Sequence, residues 1–231
     1  MYNPLLKLKD ANLEKNQRIL LKNINLEIKD GEVIALLGHN GSGKSTLLKV
    51  LIDEYVLTSG QRYCKFYRNE ITVLTQQPDE SLFPDLTLRE NILLWSQRHH
   101  DKKNQPSVDQ IIRQCPRGDR LTQFLDLPVS KLSGGEKQLF LIGLILGYPP
   151  KILFLDENTS NLDAQAAHDV MKLSMDLIKD NLIPTIIITH DLDAAKKYAD
   201  RFLILKEGEL IADIQNNQSI TVEQLKIKIF S

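Results

Sequence analysis

Nine consecutive residues, Gly38-His39-Asn40-Gly41-Ser42-Gly43-Lys44-Ser45-Thr46, have the types and spacing of a loop that wraps phosphate. Gly38 and Gly43 admit backbone angles that side chains forbid. Gly41 and Ser42 keep the loop small, so that its N–H groups can turn around an anion. In such a loop Lys44 reaches the β- and γ-phosphates of a nucleotide, and the Ser45 hydroxyl binds Mg²⁺. The plain alternative is a glycine turn between a strand and a helix, but four specified positions match at the required spacing.

Two further clusters carry complementary chemistry. Lys151 to Leu155 is an apolar run that ends in Asp156 and Glu157. A strand of a parallel sheet presents its C-terminal end to the ligand crevice. Asp156 placed there can hold Mg²⁺ together with Ser45, and Glu157 can polarise a water for attack on the γ-phosphorus. The alternative is a strand that ends in a solvated acidic turn. Ile186-Ile187-Ile188-Thr189-His190-Asp191 is a second apolar run with a polar tip, from which His190 can donate a hydrogen bond to the γ-phosphate. A lone histidine is more often structural.

Ser133-Gly134-Gly135-Glu136 has two readings. Serine with glutamate three residues on is a capping box ahead of the apolar helix Leu139 to Leu146. The two glycines also strip side chains from the first helical turn, which lets an anion approach the helix N-terminus. The residues alone leave both readings open.

These groups need a scaffold that holds them together. Val33 to Leu37 reads as a buried strand leading into the loop, and a helix follows from Lys44. Before it, residues 5 to 30 read as two strands around a turn at Glu14-Lys15-Asn16-Gln17, with Ile24, Leu26 and Ile28 in alternation. Thr58-Ser59-Gly60 reads as a turn, Ile71 to Thr75 as a strand, and Pro78 and Pro84 as breaks. Helical composition follows from Thr87, with Leu88, Ile92 and Leu93 on one face, then over Val108 to Gln114 and Arg120 to Leu127. Residues from 77 to about 150 therefore form a mostly helical block inserted into an α/β fold. Asp163 caps a helix from about Ala164 to Lys179, whose Val170, Met171, Leu173, Leu177 and Ile178 read as core. A helix from Asp191 to Ala199, a hairpin turning at Glu207-Gly208 and a tail helix from Thr221 to Ile229 complete the chain.

Composition narrows the class. Over 231 residues, 29 Lys and Arg against 30 Asp and Glu leave no basic excess, so nucleic acid is not an expected partner. Cys64 and Cys115 are far apart and form no metal-type cluster, and His99-His100 lacks metal-pair spacing, so both histidines read as solvated. The N-terminus shows no signal-peptide core, and the apolar run Leu139 to Tyr148 is about half of what crosses a bilayer.

Phosphate loop, Gln76, Leu132-Ser133-Gly134-Gly135-Glu136, Asp156-Glu157, Ser160-Asn161-Leu162-Asp163 and His190 follow in one order. In this order and spacing the chain resembles, over nearly its full length, the ATP-binding subunit of ABC (ATP-binding cassette) transporters. The resemblance implies a P-loop NTPase of the ABC type: residues 1–76 and 150–231 form a nucleotide-binding core with an antiparallel β subdomain, and about 77–149 a helical subdomain. It implies ATP and Mg²⁺, and a head-to-tail dimer in which Ser133-Gly134-Gly135-Glu136 of one copy meets ATP held by the other. Gln76 senses Mg²⁺ and water, Asp163 organises the dimer contact, and His190 holds the γ-phosphate. A groove including Phe83 and Pro84 receives a separate transmembrane permease, with a solute-binding protein as a possible further partner. The location implied is peripheral, at the cytoplasmic face of the cell membrane. An importer of amino-acid-like solutes is favoured. The alternative is a soluble assembly ATPase, as in iron–sulfur cluster biogenesis; chromosome and repair ATPases rank last, because no sustained heptads occur. Three features depart from the family: no aromatic residue near Lys15 or Asn16, Asn158 where proline is common, and a short stretch from Gly60 to Gln76 that looks trimmed.

Overall fold

The computed structural model describes residues 4–75, 78–97, 105–115, 118–156 and 164–230, with side chains from 172 onward in the last stretch. Two sheets and a set of helices build the fold. β1 (Leu6–Lys15), β2 (Arg18–Ile28) and β4 (Ser59–Cys64) make an antiparallel sheet in the order β2-β1-β4. Asn16 and Gln17 both take positive φ, 52° and 60°, which is the two-residue turn that matches strand twist. The expected turn at Thr58-Ser59-Gly60 is corrected: Ser59 and Gly60 open β4. Gly60 lies so close to the Asp10 carbonyl that a Cβ would meet it at 2.2 Å. Residues 60–64 of the short stretch before Gln76 belong to this third strand.

The second sheet has the order β5-β6-β7-β3-β8-β9. β3 (Val33–Leu37), β5 (Ile71–Leu74), β6 (Ile152–Asp156), β7 (Thr185–Ile188) and β8 (Arg201–Lys206) run parallel, and β9 (Glu209–Gln215) closes one edge antiparallel to β8. Parallel strands covered on both faces read as unbroken apolar runs, which explains VIALL in β3 and TIII in β7. Alternation sorts β3 between two cores. Ile34 and Leu36 pack with Leu47, Leu48 and Leu51 of α1 (Lys44–Leu51) and with the β1–β2 hairpin. Val33, Ala35 and Leu37 pack on the opposite side, in the core shared with the helical segments.

Those segments are α2 (Pro78–Ser81), α3 (Leu88–Gln97), α4 (Val108–Gln114), α5 (Gly118–Thr122) and α6 (Gly134–Gly147); α7 (Ala164–Asp180), α8 (Leu192–Tyr198) and α9 (Val222–Phe230) follow. Pro78 opens α2 rather than breaking structure, since a first-turn position needs no N–H from it. The helix expected over Arg120 to Leu127 is shorter: α5 ends at Thr122 and the chain then turns. Leu93 is 51% exposed and leaves the buried face to Leu88, Ile92 and Trp95. Leu173 is also exposed, and Met175 takes the core position instead. Val170 and Met171, His99 and His100, and Asn158 lie outside the described side chains. Asn91 is fully buried and ties down the turn before α3: its amide donates to the Phe83 and Thr87 carbonyls at 3.1 and 2.9 Å, and its oxygen accepts from the Phe83 N–H at 2.8 Å. α6 packs on α4 through glycine; a Cβ at Gly143 would lie 1.9 Å from Cys115 Sγ. No helix among the described residues is long and apolar enough to cross a membrane.

Candidate nucleotide-binding site

Strand register brings the chemistry together. Leu36 of β3 pairs with Ile188 of β7, and Ile188 pairs with Asp156 of β6. The loop after β3, the carboxylate ending β6 and the residues after β7 therefore emerge side by side from one end of the sheet. They line a cavity of about 250 Å³, formed by Asn40, Gly41, Gly43, Lys44, Ser45, Thr46, Asp156, Ile188 and His190.

The loop needs its glycines. Gly38 has φ 153°, and a Cβ there would lie 2.3 Å from the Leu205 carbonyl oxygen of β8. Gly43 has φ 106° and caps α1 in the left-handed region, with no side-chain cap of its own. The first N–H groups of α1 are thus left open at the cavity. The outer side of the loop is braced by the β8–β9 hairpin: Gly208 donates its N–H to the Ser42 carbonyl at 2.9 Å and accepts from Lys22 N–H at 2.8 Å. The sequence showed Gly208 only as a hairpin turn; its bracing role depends on a contact across more than 160 residues.

Lys44 is 8% exposed, and its ammonium donates to the Gly38 and His39 carbonyls at 2.7 and 3.0 Å. Burial holds its pKa below the usual lysine value, and the charge of Asp156 opposes that shift. Burial likewise raises the Asp156 carboxyl, against the pull first of Lys44 and then of His190. A lysine and a carboxylate therefore share a partly dry cavity without meeting in an ion pair. His190 is exposed and stands beyond the end of β7, at the rim. The His39 ring Nδ1 lies 2.7 Å from the Asn40 carbonyl and turns along the loop's own backbone.

The donor set fits a nucleotide with its cation. Open N–H groups and a buried ammonium suit phosphate, while the Ser45 hydroxyl and the Asp156 carboxylate are hard oxygen ligands of the kind Mg²⁺ takes. Among the described residues no cluster of three or more His, Cys, Asp or Glu offers an all-protein metal cage.

Ser133 to Glu136 are not among the cavity's lining residues. Ser133 caps α6 in a complete capping box: its Oγ accepts from the Glu136 N–H at 3.3 Å, and its own N–H donates back to the Glu136 carboxylate at 2.9 Å. The capping-box reading is thus observed, and a Cβ at Gly135 would meet nothing within 4 Å. Gln76, Glu157 and Asp163 lie outside the described residues. Near the β1–β2 turn, Lys15 Nζ sits 4.4 Å from the ring centre of Tyr55, so an aromatic side chain arrives there from the segment after α1.

Comparison with known proteins agrees with this geometry. The ABC transporter family model matches residues 21–160. A tyrosine transport ATP-binding protein of Clostridioides difficile is 29% identical, with 89% of each chain covered. The energy-coupling factor transporter ATP-binding protein EcfA of Onion yellows phytoplasma is 36% identical over 83% of this chain and 72% of its own. A solved dimeric ATP-binding cassette, bound to ADP and phosphate after hydrolysis, superposes with a TM-score of 0.70 at 25% identity, covering 92% of this chain and 99% of that one. The chain belongs to the ABC transporter family, as an ATP-binding subunit that carries the family's ATP-hydrolysing domain.

Proposed function

We propose that this subunit powers solute uptake through a separate transmembrane permease, working as a head-to-tail pair of copies at the cytoplasmic face of the membrane. One observation carries the reading: a buried ammonium is parked on two loop carbonyls inside a glycine cradle, in a cavity shared with a carboxylate and a histidine. Such a cation is held in reserve. On arrival of ATP, Lys44 exchanges neutral carbonyl partners for phosphate oxygens, and the loop and α1 N–H groups close on the same anion.

Ser45 and Asp156 are the residues that would hold Mg²⁺, with Gln76 as the resemblance implies. The ion, when bound, screens the triphosphate and polarises it. Glu157 orients the attacking water and takes its proton, and His190 donates to the γ-phosphate from the rim. Ser133, Gly134, Gly135 and Glu136 serve the other copy's ATP, which accounts for an open helix tip that does not line this copy's own cavity. Asp163 belongs to the dimer contact. The helical segment, with Phe83 exposed beside Pro84, is the surface for the permease.

The tyrosine-transport relative supports an amino-acid-like solute; uptake, with a solute-binding protein outside, is part of the proposal. The relatives' names, which speak of transport, favour this over a soluble assembly ATPase. The test is the Glu157→Gln protein with Mg–ATP. It should bind nucleotide, fail to turn over, and sediment as a dimer, while ADP leaves it monomeric. A strictly monomeric ATP-loaded variant refutes the paired arrangement.

A further inference from the structure

The two ends of α1 are treated differently. At the N-terminus Gly43 supplies no side-chain cap, and the positive pole of the helix faces the cavity. At the C-terminus the chain turns away through Asp53, which takes the left-handed region at φ 66°. The carbonyls of Leu48, Lys49 and Val50 accept from the N–H groups of residues 52–55, at 2.8 to 3.1 Å. Leu51 is left over, for no backbone N–H among the described residues reaches its carbonyl. Arg62 of β4 takes that place: its Nη2 and Nε donate to the Leu51 carbonyl at 2.8 and 3.2 Å.

The local pattern does not ask for an arginine. Arg62 lies opposite Leu8 of β1, on the face of the sheet that packs on α1, where an apolar side chain suits the core. Its side chain is only 16% exposed, and the carboxylate beside it, Asp53, stands at 3.5 Å and is 61% exposed, so that pair contributes little. What the guanidinium supplies is a cation with two donors aimed at the negative pole of α1. This helix has only eight residues, about 12 Å at 1.5 Å per residue. Two turns do not hold themselves in water. A cation on the far pole keeps the last turn closed and leaves the positive pole at the cavity uncompensated.

We propose that Arg62 is a positioning residue for the nucleotide phosphates: by closing the C-terminus of α1 it fixes, and charges, the open N–H groups at the other end. Arg62 touches no nucleotide and acts through α1. The inference rests on the phosphate cradle described above.

The experiment measures the affinity of the otherwise unaltered chain for Mg–ATP, and for inorganic triphosphate as a probe without base or sugar, by isothermal titration. Each variant is first shown to be folded by circular dichroism. Arg62→Leu fills the apolar position and deletes the donors; it should weaken both probes about fivefold. Arg62→Lys keeps the charge with a single donor group and should recover binding to within about twofold of the parent. Asp53→Asn removes the carboxylate beside the guanidinium and should bind at least as tightly as the parent. An arginine with a merely structural role would lower the melting temperature and leave both dissociation constants unchanged. Should Arg62→Leu not fold, Arg62→Gln replaces it, a donor without charge that should weaken both probes about threefold. Parent-like affinity of the folded leucine or glutamine variant overturns the proposal. So does an Arg62→Lys protein as weak as the leucine variant, or a loss seen with Mg–ATP and not with triphosphate. A parent that binds neither probe fails differently, since it removes the phosphate cradle itself.

Discussion

Replacing Lys44 by methionine should separate binding from folding. Methionine keeps the buried stem and deletes the charge. In the nucleotide-free protein the change removes two charge-assisted hydrogen bonds and leaves the Gly38 carbonyl short of a donor, while the His39 carbonyl keeps the Ser42 N–H at 3.1 Å. That costs about 1–3 kcal/mol for the one orphaned group. Against it stands relief from burying an ammonium, a penalty of several kcal/mol that Asp156 offsets only in part. The two nearly cancel, and stability should change by no more than about 2 kcal/mol. At about 2–4 °C per kcal/mol for a chain of this size, the melting temperature should move by less than about 8 °C. With ATP the balance differs. A unit charge about 4 Å from a phosphate charge is worth about 4 kcal/mol at an effective dielectric of 20. Every 1.4 kcal/mol is about tenfold, so Mg–ATP affinity should fall about a thousandfold. Isothermal titration gives the affinity and calorimetry of the free protein gives the melting temperature. An affinity loss below tenfold would show that Lys44 does not hold phosphate. A collapse in melting temperature with no ligand present would show that its role is structural.

Three further outcomes follow from individual groups. Asp156 has its folded pKa raised above the ordinary 3.8, so the folded state binds more protons than the unfolded chain in the interval above that value. Its contribution to stability is therefore full below pH 3.8 and is lost as pH rises through the folded pKa. Asp156→Asn should accordingly melt higher than the parent at neutral pH, lose that advantage in acid, and bind ATP without the usual Mg²⁺ dependence; a lower neutral melting temperature would contradict the sign. Cys115 is buried with its thiol pushed up to about 12, whereas Cys64 is half-exposed. A thiol reagent at neutral pH should modify Cys64 alone in the native protein and both cysteines in denaturant, as read by mass spectrometry. Gly143→Ala should destabilise the α4–α6 contact by about 1–3 kcal/mol, and Cys115→Ala in the same chain should recover part of it, since the added methyl would strike Cys115 Sγ.

Legibility differed from element to element for physical reasons. The strand–loop–helix unit at Val33 to Leu51 could be read outright, because its residues meet their requirements locally: apolar positions, positive-φ glycines, and a helix start. The capping box at Ser133 was equally local. Leu93 and Leu173 were misplaced because helix periodicity fixes a face only to within a neighbouring position, and packing decides which apolar residue goes in. The strand at Ser59 to Cys64 was missed because it is polar and half-exposed, and takes its identity from pairing with β1 rather than from its own side chains.

The sequence by itself determined which groups can do chemistry, since a phosphate cradle needs glycine, lysine and serine at fixed separations along one short segment. It also determined the family, through the order of motifs. Only the tertiary structure decided which groups meet. Register across β3, β7 and β6 places Asp156 and His190 at the loop, and sheet order is a long-range pairing that no local pattern encodes. The bracing of Ser42 by Gly208, the arrival of Tyr55 beside Lys15, and the pairing of Asp79 with Lys137 likewise join residues distant in sequence. Each is a short-range interaction, and the fold alone creates the proximity on which it depends.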